Sequence, residues 1–181
     1  MVTRRGPGGN RASGTGTERE RAYLDAVRWL AVRSRTEAEV RRRLAGRGFA
    51  AGVIEDVIRK LKDLNYLDDQ RYAERYAQGR LQRKMGLRRI ALELKSRGIG
   101  EETVRSALEE LDGDEEWRAA LSLVRSRWRD GEDPPRRMRR LLAMLERRGY
   151  PRGLALKALE KVRRERGEPE ADGDPDPFLL S

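Results

Sequence analysis

Apolar residues along this chain recur at threes and fours, and no stretch alternates cleanly with polar ones. The pattern therefore predicts helices and no strands. The stretch from Tyr66 to Ile99 reads as one helix, a break at Met85-Gly86, and a second helix stopping at Arg97-Gly98-Ile99. Ile90 and Leu94 share a face of that second helix, and Gly98 suits the left-handed position just past a helix end. At the start of the first helix, Asp68-Asp69 offers carboxylates to the orphan N–H groups and the positive end of the dipole. Capping outweighs a metal or catalytic role for this pair.

The helix ending recurs. Arg47-Gly48-Phe49, Arg97-Gly98-Ile99 and Arg148-Gly149-Tyr150 share one pattern, at spacings of 50 and 51 residues. Four residues before each glycine stands Leu44, Leu94 or Leu145, and eight before stands Val40, Ile90 or Leu141. Thirteen after stands Leu61, Leu111 or Val162. Apolar positions held in register three times predict an internal triplication in an all-α repeat protein.

The expected domains are three-helix repeats at 18–67, 68–113 and 114–166, stacked into an elongated, curved rod. A Gly/Arg-rich extension over 1–17 and an acidic tail over 167–181 flank them, both expected to be disordered. Repeat one carries Tyr23, Val27 and Leu30 on its first helix, and Val53, Ile54, Val57, Ile58 and Leu61 on its third. Between them, either Thr36 with Glu39 or Ser34 with Glu37 fits a capping box. Repeat two stacks Tyr72 on Tyr76, and its third helix spans about Glu101 to Leu111. Repeat three shows a stripe of Trp117, Leu121, Val124 and Trp128, then Asp133-Pro134 as an N-cap with proline behind it, then Leu154, Leu156, Leu159 and Val162. Core packing is favoured over base stacking for both tryptophans and, less firmly, for Tyr72 and Tyr76.

Tyr66-Leu67-Asp68-Asp69 followed by Tyr72-Ala73 resembles the linker and helix start of the RecX family of recombination regulators. Gly86, Arg89-Ile90, Glu93-Leu94 and Gly98-Ile99 are similar to that family's middle-repeat signature, and Ser34-Arg35-Thr36 with Gly48-Phe49 adds the first repeat. The resemblance covers roughly Ala22 to Arg166. Val40 departs from it, where the family more often has leucine, which changes core volume and not function. The resemblance implies a non-enzymatic regulator that lies in the groove of the RecA–single-stranded DNA filament. There it would modulate, usually inhibit, ATP hydrolysis, strand exchange and repressor cleavage.

Composition narrows the chemistry. The 181 residues include no cysteine and no histidine, so disulfides, thiolate metal sites and the usual general base are excluded. No phosphate loop or nucleophile elbow appears, and neither an enzyme nor a cofactor is expected. No apolar run approaches the roughly 20 residues of a membrane span, and no signal h-region opens the chain, so a cytoplasmic protein is expected; a monomer is expected as well.

Charge adds a partner class. The chain carries 41 basic and 31 acidic side chains for a net +10, and residues 134–166 alone hold 12 basic and 3 acidic ones. Such a balance favours a polyanionic partner. Arg88 and Arg89 lie off the Ile90/Leu94 stripe, and Arg139 and Arg140 occupy the matching places beside Leu141/Leu145. With Arg41, Arg42 and Arg43 in repeat one, and Lys84 and Arg136 beside the others, they are the candidate partner-contact residues. Arg47, Arg97 and Arg148 sit at helix C-termini, where a cation is favourable locally. Two further readings compete with the filament: a helical module that binds DNA or RNA directly through phosphates, and a scaffold with no polyanion partner. The second leaves the arginines of repeats two and three unexplained.

Overall fold

The computed structural model describes residues 11–111 and 113–168, with side chains from residue 16 onward. Among the described residues there are nine helices and no strand. In order they are α1 (Arg11–Leu30), α2 (Glu37–Gly46), α3 (Ala51–Asp63), α4 (Asp69–Gln82), α5 (Leu87–Ser96), α6 (Glu101–Glu109), α7 (Gly113–Arg127), α8 (Pro134–Arg147) and α9 (Arg152–Glu165). None is long and apolar enough to cross a membrane.

Three helix starts, those of α2, α4 and α8, are capped by side chains. Thr36 accepts from the Glu39 N–H at 3.1 Å while the Glu39 carboxylate accepts from the Thr36 N–H at 3.4 Å, so the box is Thr36/Glu39 and not Ser34/Glu37. Asp68 accepts from the Arg71 N–H at 2.9 Å, and Asp133 from that of Arg136 at 3.0 Å ahead of Pro134. The recurring ends are equally regular. At Gly98 the glycine N–H bonds the Lys95 carbonyl (2.9 Å) and the Ile99 N–H bonds that of Leu94 (3.2 Å). Gly48 and Gly149 repeat both bonds, and φ at the three glycines is +81°, +84° and +89°. This is the paired closure of a Schellman end.

One correction concerns the amino terminus. α1 begins at Arg11, so the disorder expected through Thr17 does not hold for residues 11–17. Once packing fixes the later turns of α1, each residue added upstream gains a helical hydrogen bond without a new nucleation cost. The expectations for residues 1–10 and 169–181, the Phe178-Leu179-Leu180 patch included, lie outside the described residues.

The chain packs as two compact units. Of the described residues, the first comprises those up to Tyr76 together with Glu93–Ala107, and the second comprises Ala77–Leu92 and those from Leu108 on. In the first unit α1 and α2 pack on α3 around Ala22, Ala26, Val40, Leu44, Val57 and Leu61. In the second, α7 and α8 pack on α9 around Ala120, Val124, Leu141, Leu145, Ala155 and Leu159.

Both cores use small residues that the hydropathy pattern under-weights. Ala22 and Ala26 are fully buried on α1, whereas Tyr23, Val27 and Leu30 only flank the core. On α9, Ala155 and Ala158 take the central places and Leu154 and Leu156 the edges. Leu111 falls past the end of α6 and is only half-buried, so it does not match Leu61 and Val162. Val104 and Ala107 fill the α6 face instead. Trp128 is buried in the second core as expected, with Trp117 packed against it.

Candidate functional site

Within each unit a helix end is fitted against a helix start. In the first, the Thr36 hydroxyl donates to the Arg97 carbonyl at 2.8 Å, joining the end of α5 to the start of α2. Asp69 accepts from the Glu37 N–H at 2.9 Å. Asp69 therefore caps α2 while its neighbour Asp68 caps α4, so the pair serves two helices rather than one. Arg97 reaches Glu39 at 3.0 Å and lies 5.0 Å from the Tyr76 ring centroid.

In the second unit the Gly86 N–H donates to the Arg148 carbonyl at 2.8 Å, joining the end of α8 to the start of α5. Glu116 accepts from the Leu87 N–H at 2.8 Å, as Asp69 does at Glu37. The approach is close. A Cβ on Gly86 would stand 2.5 Å from the Gly149 carbonyl, and one on Gly149 would stand 2.4 Å from the Arg89 backbone nitrogen. Arg148 donates to the Arg83 and Lys84 carbonyls at the end of α4, so its role extends past its own helix dipole. Burial pushes the carboxyls of Asp69 and Glu116 above their ordinary pKa. Burial, with the Glu116 charge behind it, pushes the Tyr150 hydroxyl up to about 12.

A groove opens beside this second joint. It holds about 420 Å³ and is lined by Arg88, Arg89, Arg147, Arg152, Leu92 and Tyr150, with Glu146 as the one carboxylate. Arg152 meets Glu146 at 3.0 Å. Leu92 is 64% exposed, an apolar contact point set among cations. By repeat register the corresponding places in the first unit hold Ala38, Glu39, Ser96 and Glu101, so the basic character belongs to the second joint alone.

The other candidate residues are placed differently. Arg140 is half-buried and forked onto Glu132 at 2.6 and 3.0 Å, which raises its own pKa and lowers that of the carboxylate. Arg41 bridges Glu37 and Glu55, and Arg43 pairs with Asp25. Lys84, in a left-handed conformation at φ 60°, donates to the Ser122 hydroxyl at 2.8 Å. Arg42, Arg136 and Arg139 are exposed. Only Arg88 and Arg89 of the nine line the groove; Arg147 and Arg152 were not singled out, and their signal was the repeat register itself.

Arg137 was also missed. It is 2% exposed, donates to the Arg129 and Glu132 carbonyls, pairs with Glu168 and lies 4.3 Å from the Trp128 ring centroid. Its position four residues before Leu141 puts it on the apolar stripe, a signal present in the pattern.

These features define an all-helical protein of repeated three-helix domains with an arginine-lined groove. Residues 22–61 match the model of the RecX first three-helix domain and residues 68–108 that of the RecX second three-helix domain. Regulatory protein RecX of Mycolicibacterium smegmatis is 36% identical over 156 residues, spanning 82% of this chain and 83% of that protein. The Mycobacterium tuberculosis relative of the same name is 36% identical over 148 residues, spanning 78% and 85%. The crystal structure of RecX from Lactobacillus salivarius superposes with a TM-score of 0.77 at 20% identity, covering 82% of this chain and 99% of that one, and so shares the fold. The chain belongs to the RecX family of regulatory proteins.

Proposed function

We propose that this protein binds the RecA–single-stranded DNA filament and inhibits its ATP hydrolysis, strand exchange and coprotease activity, without catalysis of its own. The observation that carries the reading is the groove of the second unit, where Arg88, Arg89, Arg147 and Arg152 surround the exposed Leu92. Cations around an apolar centre suit a protein surface bearing carboxylates better than a bare phosphate backbone, which offers nothing to Leu92. Arg136 and Arg139 add exposed cations on α8. We further propose repeat boundaries at 18–67, 68–113 and 114–166.

Cosedimentation with preassembled recombinase filaments, against bare single-stranded DNA at matched salt, tests the reading. Filament binding much tighter than bare-DNA binding supports it. Equal binding to both, falling log-linearly with salt, favours the direct nucleic-acid module instead.

A further inference from the structure

The groove of the second unit sets four arginines, Arg88, Arg89, Arg147 and Arg152, around the exposed Leu92. A stripe of cations leads into it. Arg136, Arg139 and Arg147 are exposed on α8, and offsets of three and eleven residues put them on one face of that helix.

The chain leaves α9 where this stripe begins. Gly167, at φ +68°, turns it off the helix, with the Gly167 N–H on the Arg164 carbonyl at 3.1 Å and the Glu168 N–H on that of Arg163 at 3.3 Å. The Glu168 carboxylate then pairs with Arg137, the neighbour of Arg136 on α8. The residues that follow in the sequence complement the groove. Residues 167–181 carry five carboxylates, Glu168, Glu170, Asp172, Asp174 and Asp176, and no cation, and after them comes Phe178-Leu179-Leu180. A segment kept only for solubility accounts for the carboxylates but not for three large apolar residues behind them. The order, acidic and then apolar, is that of the path, cations along α8 and then Leu92 among arginines. Length agrees. Arg137 to Arg147 is ten residues of helix, about 15 Å. The ten residues from Glu168 to Phe178 can span up to roughly 33–36 Å.

We infer that residues 169–181 dock on this chain's own second unit, with Glu170, Asp172, Asp174 and Asp176 along the arginines of α8 and Phe178-Leu179-Leu180 against Leu92 in the groove. Little intrinsic affinity is needed, because the tether supplies the segment at an effective concentration of order millimolar. The charges set its register and the apolar residues anchor it. The docked tail covers the surface offered to the recombinase filament and so competes with it; that consequence, unlike the docking itself, rests on the filament reading above.

The chain has no cysteine, so Ser181→Cys gives the full chain a single thiol for a spin label. Nitrogen-15 spectra should then show the amides of Leu92, Arg147 and Gly149 broadened selectively over the rest of the second unit. Asp172→Asn with Asp174→Asn and Asp176→Asn should remove that selectivity, as should raised salt. Phe178→Ser with Leu179→Ser should remove it too. All these positions follow the last described helix, so circular dichroism should match wild type. Uniform broadening, or selectivity that survives both sets of substitutions, overturns the inference. So does broadening of a nitrogen-15 chain by a spin-labelled chain lacking the isotope, since the tail would then belong to a second copy. Inhibition of recombinase ATP hydrolysis separates the two readings. With the three aspartates replaced, half-inhibition should need roughly two- to tenfold less protein, the range for a tail that covers the groove half to nine-tenths of the time. Selectivity lost in that variant with inhibition unchanged would uphold the docked tail and remove the groove from the filament interface. Groove amides never broadened, with inhibition lost in Arg88→Glu with Arg89→Glu, would refute the tail and leave the filament reading standing.

Discussion

At the scale of single residues, glycine separates two costs that are usually measured together. Gly48 has φ +81° and open space around its Cβ position, so Gly48→Ala pays only for the left-handed backbone, about 1–2 kcal/mol. Gly86 has no positive φ, but its Cβ would meet the Gly149 backbone at 2.5 Å, so Gly86→Ala should cost about 1–3 kcal/mol through overpacking alone. Gly149 carries both penalties, and Gly149→Ala should be the worst of the three in denaturant midpoints. Equal losses at Gly48 and Gly149 would mean that the joint yields freely. Tyr150 offers an opposite case. Its hydroxyl is buried without a partner among the described residues, so Tyr150→Phe should be neutral or stabilising, and a loss above about 1 kcal/mol would reveal a bond to that oxygen. Gly48 and Gly149 were legible in the sequence from their repeat alone, and Gly86 as a break between two helices. The Gly86–Gly149 contact was not, because nothing local to either residue encodes a neighbour 63 positions away.

At the scale of elements, what the sequence showed and what it hid divide along physical lines. Local signals were readable: the Thr36/Glu39 box, Asp133-Pro134, and the leucines four residues before each helix end. Leu94 is fully buried, as are Leu44 and Leu145, so Leu94→Ala should cost about 2–5 kcal/mol in chemical denaturation. A wild-type midpoint would show that α5 is not held by this stripe. The alanine faces were hidden because a buried alanine and an exposed one look alike in a hydropathy pattern, and only close helix approach reveals which is which. Cross-helix caps were hidden too, since Asp69 and Glu116 each serve a helix other than their own. Both carboxyls have folded pKa values raised by burial, so the folded state holds more protons than the unfolded chain just above the ordinary carboxylate range. Stability contributed by these two groups should therefore fall as pH rises from their unfolded values through the raised folded ones. Glu116→Gln keeps an acceptor for the Leu87 N–H but removes the titration. It should flatten that part of the stability–pH curve, and an unchanged curve would assign the dependence elsewhere.

At the scale of the whole molecule, net charge alone says little, because many of the 41 basic side chains are spent internally. Arg140 holds Glu132, Arg41 holds Glu37 and Glu55, and Arg97 holds Glu39, so reversing any of them would damage packing and binding together. Sequence position could not distinguish these from contact residues, since an outward-facing arginine on a helix looks the same whether or not a glutamate from another element meets it. Arg88 and Arg89 are exposed and line the groove of the second unit beside Leu92. Arg88→Glu with Arg89→Glu should therefore preserve helicity and melting while replacing attraction to an anionic surface with repulsion, twice on one helix. The readout is inhibition of DNA-dependent ATP hydrolysis by the recombinase at limiting protein, with circular dichroism as the fold control. A large loss of inhibition is expected there, and a smaller one for Arg139→Glu, which lies outside the groove. Adding Leu92→Ser to the double variant should deepen the loss if cations and apolar centre act on one protein surface. Wild-type inhibition by the double variant would remove the groove from the interface, and an equal loss of bare-DNA and filament binding would hand the site to the phosphate backbone.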